Sequence, residues 1–174
     1  MSQGPDLDRA RILEVLDRHG VDYLVVGGVG AQLHGATRLT SDFDSLPATT
    51  GENLARFAAA LHELNAFLRV SGLSDDEARA LPTRIDAVAL SRLEISTWRT
   101  DAGDLDVLTV LRRRNGERVS YDELVTNATA VSVEGIVVHV AGLDDIIASK
   151  EFADRPKDRE ALTELRRLAG ERDS

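Results

Sequence analysis

The chain has 174 residues, of which 43% are hydrophobic, a formal net charge of −9, no cysteine, nineteen arginines and two lysines. That length suits one domain, expected to span 1–174, with a sizeable core. The composition excludes disulfides and thiolate metal sites, offers no apolar run long enough to span a membrane, and argues against a broad nucleic-acid footprint but not a local one. The opening MSQGPDLDRA lacks a basic segment followed by an apolar one, so the expectations are no signal peptide and a cytoplasmic location.

In chain order, residues 6–19 carry Leu7, Ala10, Leu13 and Leu16 at helical spacing, with Gly20 placed to cap the C-terminus. YLVVGG (23–28) reads as a short buried strand stopped by glycine, and VGAQLHG (29–35) as a short helix ended by Gly35. SDFDSL (41–46) is brief and extended, terminated by Pro47. ENLARFAAALHEL (52–64) is an amphipathic helix with Leu54, Phe57, Ala58 and Leu61 on one face. Residues 65–92 suggest a short strand followed by small helices. LEISTWRT (93–100) and DLDVLTVLR (104–112) read as antiparallel strands joined by the tight turn DAGD. YDELVTNA (121–128) is a short helix, and AVSVEGIVVHVA (130–141) a hairpin turning at Glu134-Gly135. Helices follow at 143–153 and 156–169, with Pro156 at a first-turn position. The expected fold class is α/β (α+β): a mixed sheet with flanking helices over about 20–142, then a C-terminal helical segment at 143–170.

Chemistry concentrates in VVGGVGAQLHGATRLTSDFDS, Val25 to Ser45. In a strand, Asp42 and Asp44 project to the same side while Phe43 faces the other way. Two carboxylates so placed repel each other unless protonated or neutralised by a cation. Magnesium takes oxygen ligands and one or two carboxylates, keeping positions for water and substrate phosphates. Asp106, in the otherwise apolar GDLDVLTVL, is the candidate third carboxylate, because an acid buried there needs a partner. Its competitor, Asp104, borders the Gly103 turn and is expected nearer solvent. Gly27 and Gly28 lack the β-carbon that would hold a phosphate away from the backbone, and a helix beginning after them would aim free N–H groups at the same spot. A Rossmann reading fails, because the third glycine position holds Leu33.

Val26-Gly27-Gly28, thirteen intervening residues, Asp42-Phe43-Asp44 and a later acid together resemble the signature of the polymerase-β-like nucleotidyltransferase superfamily. More narrowly, GGVGAQLHGATRLTSDFD with LDDIIASKEFADRPKDREALTELRRL resembles the minimal transferases grouped with the AbiEii and MenT toxins of toxin–antitoxin systems. The likeness runs from about residue 20 to 168. It departs at Gly28, where many relatives carry a serine, and at Ser45, a usually apolar position. The resemblance implies the nucleotidyltransferase fold and transfer of a nucleoside monophosphate from CTP, UTP or ATP to an acceptor hydroxyl, with release of pyrophosphate. It implies Mg²⁺, with Mn²⁺ as a substitute, on Asp42, Asp44 and Asp106. It also implies the tRNA 3′ acceptor end as acceptor, a cognate antitoxin protein as partner and no membrane. The alternatives are a small-molecule (antibiotic) or protein adenylyltransferase, or a non-catalytic partner-binding relative. Because the toxin relatives carry a functional lysine followed by an aspartate in their C-terminal half, Lys150 and Asp158 are the residues to carry over.

Supporting residues have competing readings. Arg38 either clamps a phosphate together with Gly27, Gly28 and Lys150, or pairs with Asp42 or Asp44. Lys150 suits a β- or γ-phosphate; otherwise it is a helix lysine paired with Asp154 four residues on. Thr40 and His34 are expected to be structural, Lys157 a surface residue and Trp98 core. The cluster Arg112–Arg114 with Arg118 either meets an RNA backbone or forms a solvated face, the second being the expectation.

Overall fold

A computed structural model describes residues 4–172. Met1–Gln3, from which the leader reading starts, and Asp173–Ser174, at the far end of the expected domain, lie outside the described residues.

The elements run α1 (Arg9–Arg18), β1 (Tyr23–Val26), α2 (Gly27–Leu33), β2 (Asp42–Pro47), α3 (Gly51–Glu63), β3 (Phe67–Leu68), α4 (Asp75–Arg79) and α5 (Ala87–Ser91). They continue through β4 (Ile95–Thr100), β5 (Gly103–Leu108), β6 (Leu111–Arg112), β7 (Arg118–Val119), α6 (Tyr121–Leu124), β8 (Thr129–Val133), β9 (Ile136–Val140), α7 (Leu143–Ala153) and α8 (Pro156–Arg172). Seven strands form one mixed sheet in the order β3-β4-β5-β2-β1-β9-β8, while β6 and β7 make a separate hairpin. The pairs β2–β5 and β1–β9 are parallel and the rest antiparallel. Ile12, Leu16, Phe43, Phe57, Leu61 and Leu105 sit among the fully buried side chains of one core cluster reaching from α1 to Leu165 in α8. No helix among the described residues is long and apolar enough to cross a membrane.

Local chemistry explains where the element ends differ from the sequence reading. Helix α1 starts at Arg9 because the Asp8 side chain accepts the Arg11 N–H and caps it. The glycine pair does not extend the strand: Gly27 turns the chain at φ +61° and opens α2 two residues earlier than expected. Glu134 and Gly135 both adopt positive φ, as a two-residue hairpin turn of this hand requires. The run DLDVLTVLR is not one strand. After Leu108 the chain leaves the sheet, Thr109 bonding back to Glu94 and Leu93, and Leu111–Arg112 pairs with β7 instead.

Candidate active site

Parallel pairing of β2 with β5 sets Asp42 opposite Asp104 and Asp44 opposite Asp106. Alternation then puts Asp42 and Asp44 on one side and fully buried Phe43 on the other. Oxygens of Asp42, Asp44 and Asp106 lie within 4.8 Å of one another. Of the two acids on β5, Asp106 joins this group. Asp104 is engaged elsewhere, accepting from Arg99 Nε at 2.9 Å and Arg69 Nη1 at 2.8 Å.

Several bonds hold the acids in place. Thr40 Oγ1 donates to Asp42 Oδ1 at 2.8 Å, and buried Ser45 donates to the Asp106 carbonyl at 2.8 Å, tying β2 to β5. Val26 pairs with Asp44, so Gly27 passes directly against that carboxylate; a β-carbon there would stand 1.9 Å from Asp44 Oδ2. A β-carbon on Gly28 would stand 2.6 Å from Thr40 Oγ1. The glycine pair thus leaves room for Asp44 and Thr40, and the Gly28 backbone opposes the rise of the Asp44 carboxyl.

The electrostatics are those of a cluster awaiting positive charge. Burial, then the charges of Asp42 and Asp106, push the Asp44 carboxyl up to about 7. Burial raises Asp106 as well, against the opposing hydrogen bond from Thr97. Asp106 Oδ1 is buried with no hydrogen-bond partner. An orphaned carboxylate oxygen beside two further carboxylates fits a divalent cation, and an all-oxygen donor set suits a hard ion.

Facing the acids across a cleft of about 520 Å³ are cations from the α7–α8 junction. Lys150 and Arg155 both border the cleft, and the acids at Asp42 and Asp44 act on the Arg155 charge. Asp158 orders the pair. Fully buried, it accepts from Arg155 Nε at 2.6 Å, from the Arg155 backbone N–H at 3.3 Å and from Lys150 Nζ at 3.4 Å. Burial alone would raise its carboxyl, but the bonds from Arg155 and the Lys150 charge outweigh that and hold it below the usual carboxylate range. The buried Asp158 carboxylate is thus occupied by Arg155 and Lys150. The alternative partner for Lys150, Asp154, instead pairs with Arg159 at 2.7 Å.

Arg38 takes neither of its expected acidic partners. It borders the cleft half-exposed and bonds Glu160 of α8 at 2.6 Å, while Thr37 bonds Glu164, so the loop carrying Arg38 is fastened to α8. Lys157 is exposed at the cleft rim. His34 is buried against the Ala141 carbonyl at 2.7 Å, and Trp98 is core with its indole N–H on Ser96, both structural as expected. The arginines of the cluster have acidic neighbours but share them: Arg112 and Arg118 both take Glu94, Arg113 takes Glu117, and exposed Arg114 lies 3.8 Å from a Glu151 that Arg166 holds at 2.6 Å. Arg155 escaped the sequence reading. Its signal was an arginine before a first-turn proline with an aspartate three residues on, which returns its side chain to the N-cap backbone.

No protein-family model matches the sequence, and no curated protein does. Solved structures do. The lincosamide antibiotic adenylyltransferase LnuA, lincomycin-bound, is 12% identical, covers 94% of this chain and 99% of its own, and has a TM-score of 0.61. ANT(2'')-Ia in complex with adenylyl-2''-tobramycin is 16% identical, covering 95% and 87%, with a TM-score of 0.58. A Thermotoga maritima protein described as a nucleotidyltransferase is 16% identical, covering 94% and 91%, at 0.53. The chain has the nucleotidyltransferase fold.

Proposed function

We propose that the protein is a metal-dependent nucleotidyltransferase that moves a nucleoside monophosphate from a nucleoside triphosphate to an acceptor hydroxyl. The observation that carries this is the convergence of Asp42, Asp44 and Asp106 around a buried, partnerless Asp106 oxygen, opposite cations held by Asp158. The three carboxylates would hold Mg²⁺, or Mn²⁺ in its place, which when bound offsets the charge of the triphosphate and of the attacking oxygen. Lys150 and Arg155 bind the β- and γ-phosphates and steady the charge that develops on pyrophosphate as it leaves. Asp106 takes the proton of the acceptor hydroxyl as its oxygen bonds to the α-phosphorus and the bond to pyrophosphate breaks.

The acceptor is a compact small molecule. The net charge of −9, with Glu94 and Glu117 set among Arg112, Arg113 and Arg118, supports this over an RNA backbone, which needs a broad positive surface. The two antibiotic adenylyltransferases of like fold are consistent with it. The toxin reading predicts tRNA as acceptor and an antitoxin as partner, and the same experiment tests it. Protein, Mg²⁺ and each α-labelled nucleoside triphosphate are incubated with a panel of hydroxylated antibiotics and, separately, with total tRNA. Magnesium-dependent label on a small molecule that Asp44→Ala abolishes is the expected result. Label on tRNA alone would move the assignment to the toxin class, and no transfer to any acceptor would overturn the enzymatic reading.

A further inference from the structure

The outer wall of the cleft, built by Ile95, Leu108, Val110 and Phe152, has no task in the scheme above. Phe152 stands out. It lies in the last turn of α7, between Lys150 and Arg155 in the chain, and is 46% exposed. It belongs neither to the core cluster nor to the half-buried shell packed against it. The packing of the core therefore does not account for the position of this half-exposed ring.

The ring is nevertheless held. The Arg112 guanidinium lies over it, 5.9 Å from the centroid. That guanidinium is itself fixed by two hydrogen bonds of 2.8 Å to the Glu94 carboxylate and one of 3.0 Å to the Gly116 carbonyl. Gly116 lies beside the ring edge, where a β-carbon would make ordinary contact with Phe152 Cε2 at 3.4 Å. The β6–β7 hairpin, which leaves the main sheet where the sequence suggested a continuous strand, thus orients an aromatic ring at the cleft.

We propose that Phe152, backed by Arg112, is the stacking platform for the base of the nucleoside triphosphate and favours the larger purine face over a pyrimidine. This rests on the nucleotidyl-transfer reading. Phe152 lines the same cleft as Lys150, Arg155 and the three acids, which places its ring within the space a bound nucleoside triphosphate would share. Aromatic rings stack on any base, more strongly as the overlapping face grows, and a guanidinium over one face of the ring limits its freedom to turn while leaving the other face for a base. Because the contact is to the base alone, it is separable from binding of the phosphates.

Calorimetric titration of the full chain in Mg²⁺ tests this with three probes: inorganic tripolyphosphate and the α,β-methylene analogues of ATP and CTP. Wild-type protein is expected to bind the adenosine analogue tightest, then the cytidine analogue, then tripolyphosphate. Phe152→Ala is expected to weaken the adenosine analogue by on the order of tenfold and leave tripolyphosphate unchanged, while Phe152→Trp restores the preference. An unchanged ratio of adenosine analogue to tripolyphosphate in Phe152→Ala would overturn the platform while leaving the transferase reading intact. Binding of none of the three probes by wild-type protein would overturn both.

Discussion

Strand β5 carries two aspartates one residue apart, and the protein treats them in opposite ways. Asp104 is built into a cation network: Arg99 and Arg69 donate to it, and Arg99 also grips Asp75 with hydrogen bonds of 2.9 and 2.8 Å. Those carboxylates hold the Arg99 guanidinium even more firmly protonated than usual. Asp106 has the reverse environment: two carboxylates beside it, a buried oxygen without a partner and, among the described residues, no ion pair to an arginine or lysine. Arginines reached the first acid and were withheld from the second, although both lie on the same strand. A charge left uncompensated in an otherwise well-paired protein marks the place where a cation from outside is expected.

The largest expected difference between the two acids is in activity. Asp106→Asn should lower nucleotidyl transfer by about three orders of magnitude, the scale on which groups that steady transition-state charge act. Asp104→Asn should leave transfer per folded molecule unchanged. Urea unfolding in chelator should then reverse the ranking. Asp104→Asn leaves Arg99 and Arg69 short of a partner and should cost about 2 kcal/mol, discounted because Asp75 remains and the site is not fully dry. Asp106→Asn relieves repulsion and should leave the metal-free protein as stable as before or more so. Equal destabilisation by both changes would mean that the acids share one structural role.

The pH dependence of the metal-free protein carries the next effect. Asp44 keeps its proton in the folded chain to about pH 7, whereas an unfolded aspartate releases it near 4. Between those values the folded state binds more protons than the unfolded one, so stability falls as pH rises through the window and stays reduced above it. Unfolding in chelator should therefore occur at lower urea at pH 8 than at pH 5.5. Mg²⁺ should restore stability at pH 8, and Asp44→Asn should remove most of the difference. A metal-free protein more stable at pH 8 than at 5.5 would contradict the assignment of Asp44 to the repulsive cluster.

The contrast between the two acids was half legible in the sequence. Asp42 and Asp44 follow from strand alternation, and Asp106 from being an acid in an apolar run; spacing alone carries both inferences. Asp104 was separable from Asp106 only by its nearness to a turn, because Arg69 and Asp75 come from another part of the chain and no periodicity announces them. The same blindness to distant partners explains the rest. Arg38 was weighed against the acids four and six residues away, yet it bonds Glu160, 122 residues on. Lys150 and Asp158 came from resemblance, and that Asp158 is a buried clamp for Lys150 and Arg155 needed the packing of α7 on α8. The break of DLDVLTVLR into β5 and β6 was hidden because both halves are apolar and β-prone, so composition could not mark the place where the chain leaves the sheet.

The smallest effect belongs to the arginine cluster, a third region in which the glutamates are shared and pairing is partial. Arg113 meets Glu117 across half-exposed surface and exposed Arg114 lies 3.8 Å from Glu151, contacts of the kind worth less than about 1 kcal/mol. Arg113→Ala with Arg114→Ala should shift unfolding by no more than about that, and should leave transfer to a small-molecule acceptor unaltered across the salt range. An RNA acceptor demands the opposite: each lost phosphate contact flattens the salt dependence, so the double variant would transfer to tRNA more weakly and less salt-sensitively than wild type. A steep salt dependence lost with these two residues would show that their glutamate partners release them to a polyanion. It would also place the cluster with Asp106, as charge reserved for a ligand, and no longer with Asp104.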